Sequence, residues 1–152
     1  MKKEQLKWII LLAGVLSTIL LFVDAFKLED FGQTVSGFKL AFGGTISKTT
    51  LGITVELGDI KFNIIYLVIL IAPALGGLIQ LLLKDPIGSL LSFVFFAVAI
   101  ILLVMTKETN FVGIIDFIKA PTKVKLETMA YISIAASAIG LIFSGYKITL
   151  KK

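Results

Sequence analysis

The chain has 152 residues, of which 57% are hydrophobic and 16% are charged, and its mean hydropathy is +1.01. A soluble domain carries about 25% charged residues, whereas the apolar residues here form long uncharged blocks that suit a membrane. Cysteine and histidine are absent, and all fifteen basic residues are lysine. This composition excludes disulfides and thiolate chemistry and removes the commonest metal ligand and neutral-pH acid–base group. We therefore predict a protein that is not an enzyme and has no cofactor and no metal site.

The first two apolar blocks each predict a transmembrane helix. The first covers about residues 8–24. It is slightly longer than the apolar core of about 7–15 residues in a signal peptide, so we favour an uncleaved helix. The second covers residues 62–83, where Asn63 and Gln80 lie near the two ends and lipid headgroups can solvate them. Pro73 inside this block predicts a kink rather than a binding site.

The third and fourth blocks, residues 87–105 and 128–146, predict two further helices. The short link between the second and third blocks makes those two helices antiparallel neighbours. The fourth helix carries small residues at spacings of three and four, which place them on one face where membrane helices approach closely: Ala130, Ser133, Ser137, Gly140 and Ser144. Packing within the chain's own bundle is the favoured interpretation of this face, and a contact between subunits is the alternative.

The placement of lysines predicts the orientation of the helices. Four spans put both termini on one side, and the termini together with the turn at Lys84 hold seven lysines and two acids. The two long intervals on the other side, counted from Asp24, hold eight lysines and eight acids. By the positive-inside rule the termini are cytoplasmic, so residues 25–61 and 106–127 are extracellular loops of a multi-pass plasma-membrane protein.

The first loop alternates like a β-sheet. Apolar side chains occupy every second position over residues 38–42 and again over residues 51–57, a pattern typical of strands. Gly43-Gly44 predicts a turn and residues 45–50 predict the returning strand. We therefore expect a β-hairpin with seven large apolar side chains on one side: Phe38, Leu40, Phe42, Leu51, Ile53, Val55 and Leu57. An isolated hairpin is only marginally stable in water, so this side requires a cover.

Three covers are available for the predicted hairpin. In the second loop the apolar residues of segment 111–118 recur at helical spacing and predict a short amphipathic helix. Residues 123–126 alternate and predict a short strand. A neighbouring molecule is the third candidate. The predicted fold is therefore membrane α-helical: a four-transmembrane-helix bundle in a single membrane domain, with a small extracellular β-sheet formed mainly by the first loop.

This plan resembles two groups of known proteins. The four helices, the long β-rich first loop and the shorter second loop resemble the claudin-type architecture over the whole chain. Phe38-Lys39-Leu40 and the strand from Leu51 occupy loosely similar places, but the Trp and Cys signature of the claudin loop is absent. The segment SGFKLAFG at residues 36–43 is similar to stretches in small uncharacterised four-helix membrane proteins of low-GC bacteria, which the lysine-only composition also fits. Neither resemblance implies a catalytic residue.

Two functions from different classes follow. The first is a non-enzymatic scaffold or interaction protein of the lipid bilayer, which self-associates as a homo-oligomer, or binds another membrane protein, through the first loop and small-residue helix faces. The second is a subunit of an oligomeric channel or pore, with Ser133, Ser137 and Ser144 lining the lumen. A proton-coupled carrier is disfavoured because the predicted spans hold no ionisable residue except Asp24 at an edge. An accessory or immunity-type subunit of a larger complex is a further alternative, and no nucleic-acid partner is expected.

Overall fold

The structure, a computed structural model, describes residues 2–29, 32–113 and 119–150. Four of its helices are long and apolar enough to cross a membrane, which confirms the four predicted helices of membrane length, and a fifth is short. In chain order the helices are α1 (Lys3–Phe22), α2 (Gly37–Phe42), α3 (Ile64–Leu82), α4 (Ile87–Met105) and α5 (Thr128–Thr149). Because α5 continues past the predicted fourth span, Lys147 lies inside the helix.

The four long helices form a ring in which each helix packs against two others. α1 lies against α3 and α5, and α4 lies against the same two helices. The chain therefore runs along the bundle in alternating directions. Both loops that contain strands lie at one end, which we call the sheet end. Both termini and the α3–α4 link lie at the other, which we call the terminal end.

Small residues allow the helices of the ring to approach closely. Gly14 of α1 lies against Pro73 and Gly77 of α3, and a Cβ atom at Gly14 would overlap the Pro73 carbonyl oxygen. The buried Phe96 ring of α4 fills the space beside Gly140 of α5, where a Cβ atom would come within 2.5 Å of the ring. Such close packing holds membrane helices together in the absence of a hydrophobic driving force. The bundle interior is therefore filled by the chain's own residues.

Both loops contribute strands to one six-stranded antiparallel sheet. The first loop supplies β1 (Phe26–Leu28), β2 (Gln33–Val35), β3 (Gly44–Thr50) and β4 (Ile53–Ile60), and the second supplies β5 (Glu108–Gly113) and β6 (Lys119–Leu126). The strand order is β2-β1-β6-β5-β4-β3. The strand predicted over residues 123–126 is thus the end of β6, and it joins the sheet between β1 and β5.

A hydrophobic core lies where the sheet meets the bundle. Phe26, Leu28 and Ile60 of the sheet are buried in this core together with Tyr66 of α3 and Leu103 of α4. The rings of Phe26 and Tyr66 meet edge to face, with their centroids 5.7 Å apart and an interplanar angle of 84°, which is a favourable aromatic geometry. The base of the sheet is therefore covered by the chain's own helices.

The predicted strand over residues 38–42 is wrong, because these residues form α2. The Ser36 hydroxyl caps this helix by accepting a hydrogen bond from the Lys39 backbone N–H at 3.2 Å, a role that serine performs well. Helical spacing buries three residues of the segment: Gly37, Leu40 and Ala41. A short apolar run is compatible with both the two-residue period of a strand and the 3.6-residue period of a helix, so alternation alone could not distinguish the two structures. The hairpin instead joins β3 to β4.

The predicted amphipathic helix over residues 111–118 is wrong where the structure describes it. Residues 111–113 belong to β5, and residues 114–118 lie outside the described residues. β5 has β4 on one side and β6 on the other. Its backbone groups are therefore bonded across the sheet, and this pairing overrides the helical spacing of so short a segment.

Candidate interaction surface

The outer part of the β3–β4 hairpin extends beyond the other strands that the structure describes. Among the described residues, β4 pairs with β5 from Gly58 onward, whereas its pairing with β3 continues out to Ile53, opposite Thr50. Among the described residues, segment 47–56 is thus a two-stranded ribbon without a third strand. We call this segment the hairpin ribbon.

The tip of the hairpin ribbon is a two-residue turn with a strained leucine. Leu51 has φ 53° and Gly52 has φ 78°, the pair of positive values that defines a type I′ turn. Glycine adopts this conformation readily, but the first position usually holds Asn, Asp or Gly rather than leucine. The Leu51 side chain is also 98% exposed. Residues held in such unfavourable conformations are concentrated at functional sites, which makes the tip a candidate.

One side of the hairpin ribbon carries two exposed apolar residues of β4, Ile53 and Val55, which are paired with Thr50 and Lys48 of β3. We call it the apolar side after these two residues. Ile53 and Val55 alternate along β4 and therefore share a side, and they are 67% and 55% exposed. The pairing with β3 skips Leu57, which is an extra residue in β4. This β-bulge shifts the alternation by one position. Ile53 and Val55 therefore continue the side on which Gly58 and Ile60 are buried at the base of the sheet.

The opposite side of the hairpin ribbon is polar. The Thr49 and Thr54 hydroxyl oxygens are 2.9 Å apart and share a hydrogen bond across the strands. Ser47 and Glu56, which pair with each other, are both exposed. The two sides of the ribbon therefore differ along β4, where Ile53 and Val55 lie on one side and Thr54 and Glu56 lie on the other.

The structure does not bring the seven apolar residues of the predicted hairpin onto one side. Leu40 is fully buried on α2, and Leu57 is half-buried against the core at the bulge. The remaining members within the hairpin are the exposed residues of the ribbon and its tip: Leu51, Ile53 and Val55.

Phe38 and Phe42 belong to a row of aromatic rings on the side of the bundle. The two rings lie on α2 with centroids 4.7 Å apart. Phe38 also stacks on Phe22 at the end of α1, with centroids 5.9 Å apart, and Phe42 lies 6.5 Å from Phe62, which precedes α3. All four are about half exposed. The row extends the apolar side surface of α1 and α3 and is separate from the hairpin ribbon.

The small-residue face predicted on α5 lies inside the bundle. All five of its members are buried: Ala130, Ser133, Ser137, Gly140 and Ser144. The Ser17 hydroxyl oxygen of α1 lies 2.8 Å from that of Ser133 and 2.6 Å from that of Ser137, and the Ser133 hydroxyl also donates to the Ser17 carbonyl oxygen at 2.9 Å. Ser133 and Ser137 are thus hydrogen-bonded to the chain's own α1.

A buried polar cluster at the terminal end was not predicted. Gln80 is 1% exposed, and the Lys147 side chain is fully buried. The Lys147 ammonium donates to Gln80 Oε1 at 2.6 Å and lies 2.9 Å from the Asp85 carboxylate. Gln80 Nε2 donates to the Ser92 hydroxyl at 2.7 Å, and the Ser89 hydroxyl donates to Asp85 at 2.8 Å. The cluster thus joins α3, α4 and α5.

The expectation that headgroups solvate Gln80 is wrong, because its side chain is buried. The helical spacing of α5 could have indicated that Lys147 is buried as well. Lys147 follows Gly140 and Ser144 at the same spacings of four and three, so it lies on the buried face of α5. Partial burial acts to raise the pKa of Asp85. The hydrogen bonds from Lys147 and Ser89, together with nearby positive charge, outweigh that effect, and the pKa of this carboxyl lies below its ordinary value.

Comparison with known proteins adds no assignment. No protein-family model, no curated protein and no solved structure matches the chain, so the claudin-like and bacterial resemblances stay predictions. In the part of the chain that the structure describes, no group of three or more His, Cys, Asp or Glu side chains is placed to hold a metal ion. Leu51 and Ile53 of the hairpin ribbon are among the most exposed large apolar residues of the described chain.

Proposed function

We propose that this chain is a non-enzymatic integral membrane protein that associates with a second copy of itself through the apolar side of the hairpin ribbon. The four long helices are its membrane spans, both termini are cytoplasmic, and the sheet is extracellular. One observation carries the proposal: Leu51, Ile53 and Val55 are each more than half exposed, on a ribbon that has no third strand among the residues that the structure describes.

A second copy is the partner that best fits this surface. Two equal apolar sides related by a two-fold axis are complementary to each other, and paired ribbons would pack about 10 Å apart, as the sheets of a sandwich do. Copies in one membrane hold their ribbons at the same height. Their encounter is confined to a plane, which raises the effective concentration of each ribbon for the other.

The proposal keeps the scaffold function expected from the sequence and changes the surface that performs it. The small-residue face of α5 is buried by its packing against α1 and α4. The burial of Ser133, Ser137 and Ser144 inside the bundle favours the scaffold over a channel between subunits. The apolar side of the ribbon lies outside these internal contacts.

The proposal is tested by adding a charge to each side of the ribbon. Ile53→Lys and Val55→Lys place an ammonium on the apolar side, and Thr54→Lys places the same charge on the polar side of the same strand. We expect the wild-type particle in lipid nanodiscs or mild detergent to have the mass of a dimer. The first two variants should be monomeric because a charge in the contact is not compensated, whereas Thr54→Lys should remain a dimer.

Thermal unfolding provides the control for folding in this experiment. All three variants should unfold within a few degrees of the wild type, because the substituted positions are exposed and surface changes usually alter stability by less than about 0.5 kcal/mol. A monomeric wild type contradicts the proposal. So does dissociation by Thr54→Lys that equals the effect of Val55→Lys. Co-purification with a different protein would transfer the contact to that partner and also contradict self-association.

A further inference from the structure

A groove opens at the sheet end between α4, α5 and β6. Its floor is apolar: Leu103 and Val104 come from the last turn of α4, and Tyr131 and Ile134 come from the first two turns of α5. The groove has a volume of about 360 Å³. Val104 and Tyr131 are about half exposed, at 48% and 58%, so the floor is open toward the surroundings of the bundle. We call this feature the outer groove.

The rim of the outer groove is charged. Lys107 and Lys125 lie at its edge with Glu29. An adjoining cavity of about 320 Å³ shares Glu29 and Lys107 and adds Glu108 and Lys123. The two cavities thus place three lysines and two carboxylates around the apolar floor, with a net charge of +1.

We propose that the outer groove binds an anionic glycerophospholipid whose headgroup carries hydroxyl groups. The apolar floor covers part of an acyl chain, and the rim lysines donate to the phosphate oxygens. The two carboxylates accept hydrogen bonds from the headgroup hydroxyls, which explains how acids and lysines share one rim. The single negative charge of such a lipid complements the net charge of the rim. This proposal requires the bundle to lie in a membrane but does not depend on association through the hairpin ribbon.

The position of the groove favours a lipid over a soluble anion. The floor belongs to the ends of two membrane-length helices, whereas Lys107, Lys123 and Lys125 lie on segments beyond those ends. The boundary between apolar and charged lining therefore coincides with the level at which a phospholipid changes from acyl chain to headgroup. A soluble anion would satisfy the lysines but would leave the apolar floor uncovered.

Native mass spectrometry with added phosphatidylglycerol tests the proposal. We expect one lipid per chain to bind with saturable affinity. A lysine near a membrane surface contributes about fivefold to the affinity for an anionic lipid. Lys107→Gln and Lys125→Gln should each weaken binding by about fivefold, and the double variant by about 25-fold. Lys61→Gln removes an exposed lysine at the same end of the bundle but away from the groove, and it should leave the affinity unchanged.

Two competing ligands identify the chemistry that is recognised. Phosphatidylcholine has the same acyl chains and phosphate but no net charge and no headgroup hydroxyl, so it should bind at least about fivefold more weakly. Glycerol phosphate has the polar group without acyl chains and should not displace the lipid. Equal binding of the two lipids, equal loss in the Lys61→Gln control, or displacement by glycerol phosphate overturns the proposal.

Discussion

The bundle interior and the hairpin ribbon place their side chains in opposite ways. In the interior, polar groups such as Ser17, Ser133 and Lys147 are buried and bonded to other residues of the same chain. In the ribbon, Leu51 and Ile53 are apolar and exposed to solvent. A buried polar group requires a hydrogen-bond partner and an exposed apolar group requires a cover. These interior groups meet their requirement within one chain, whereas Leu51 and Ile53 are not covered by the residues that the structure describes. This difference supports the proposed contact of the ribbon with a second copy.

The largest expected effect is in the terminal-end cluster. Asp85→Ala removes the carboxylate that lies beside the buried Lys147 ammonium, and loss of one partner from a buried pair costs about 3–5 kcal/mol. We expect the free energy of unfolding, measured in mixed micelles, to fall by about 3 kcal/mol. Lys147→Met should cost less, because the carboxylate that it leaves behind is 26% exposed and can be hydrated. Equal losses in the two variants would contradict the buried ion pair.

The same ion pair predicts how the unfolding free energy depends on pH, and this dependence is a control for the substitution of Asp85. The pKa of Asp85 is lower in the folded protein than its ordinary value of 3.8. The stabilisation is therefore fully present above that pH and is lost as the pH falls through the folded-state pKa. Wild-type protein should lose more unfolding free energy than Asp85→Asn between about pH 5 and about pH 2. If the unfolding free energies of the wild type and Asp85→Asn fall in parallel with pH, the ion pair does not stabilise the folded protein.

A matched pair of glycines tests how tightly the interior is packed. A Cβ atom at Gly140 would approach the Phe96 ring to 2.5 Å, whereas one at Gly145 would meet the Phe93 ring at an ordinary 3.4 Å. Overpacking costs about 1–3 kcal/mol, and replacing an unconstrained helical glycine by alanine gains up to about 1 kcal/mol. We expect Gly140→Ala to lower the unfolding free energy by about 2 kcal/mol and Gly145→Ala to raise it. The same sign for both variants would contradict close packing at Phe96.

Leu51→Asn should separate folding from association in the ribbon. Asparagine suits the first position of a type I′ turn, so the change relieves strain of about 1 kcal/mol. Hydrogen exchange of the ribbon amides should slow by about fivefold. The dimer should nevertheless be weaker, because an exposed apolar side chain is lost from the contact. Gly52→Ala, which adds a side chain at φ 78°, should speed exchange instead. Slower exchange together with stronger association would contradict a functional role for Leu51.

The smallest expected effect compares two buried serines of α5. The Ser137 hydroxyl shares a hydrogen bond with Ser17 at 2.6 Å, whereas the Ser144 hydroxyl has no partner among the described residues. Hydrogen bonds between membrane helices contribute about 0.6 kcal/mol on average. Ser137→Ala should lower the unfolding free energy by about that amount, and Ser144→Ala should leave it unchanged or raise it. The reverse order would show that the serine contacts do not stabilise the interior.

The helices were predictable because hydrocarbon leaves the backbone few alternatives. A segment that crosses a bilayer must satisfy its own N–H and C=O groups, so a long uncharged block predicts a helix. The third block, residues 87–105, coincides with α4 (Ile87–Met105). The pairing of Gln80 with Lys147 was not predictable in this way, because both residues lie near helix ends where solvation is the simpler expectation. Only the packing of α3 against α4 and α5 buries them.

The first loop was predictable in part. Alternation over residues 51–57 indicated a strand, and β4 (Ile53–Ile60) is that strand. Its turn was missed because leucine is an unusual residue for the first position of a type I′ turn, whereas Gly43-Gly44 carried a stronger turn signal. The strand prediction failed at residues 38–42 because a serine cap and three buried positions fit one and a half turns of helix equally well. Tertiary burial, which alternation does not contain, decided between them.

The central claim is that the apolar side of the ribbon meets the same side of a second copy, and crosslinking tests it most directly. The chain has no cysteine, so a single introduced cysteine is its only thiol. Val55→Cys places the thiol on the apolar side, and Thr54→Cys places it on the polar side of the same strand. In reconstituted bilayers, a bismaleimide that spans about 10 Å, the spacing of packed sheets, should link the Val55→Cys variant into dimers and leave the Thr54→Cys variant monomeric. Equal crosslinking of both variants, or of neither, would contradict the account.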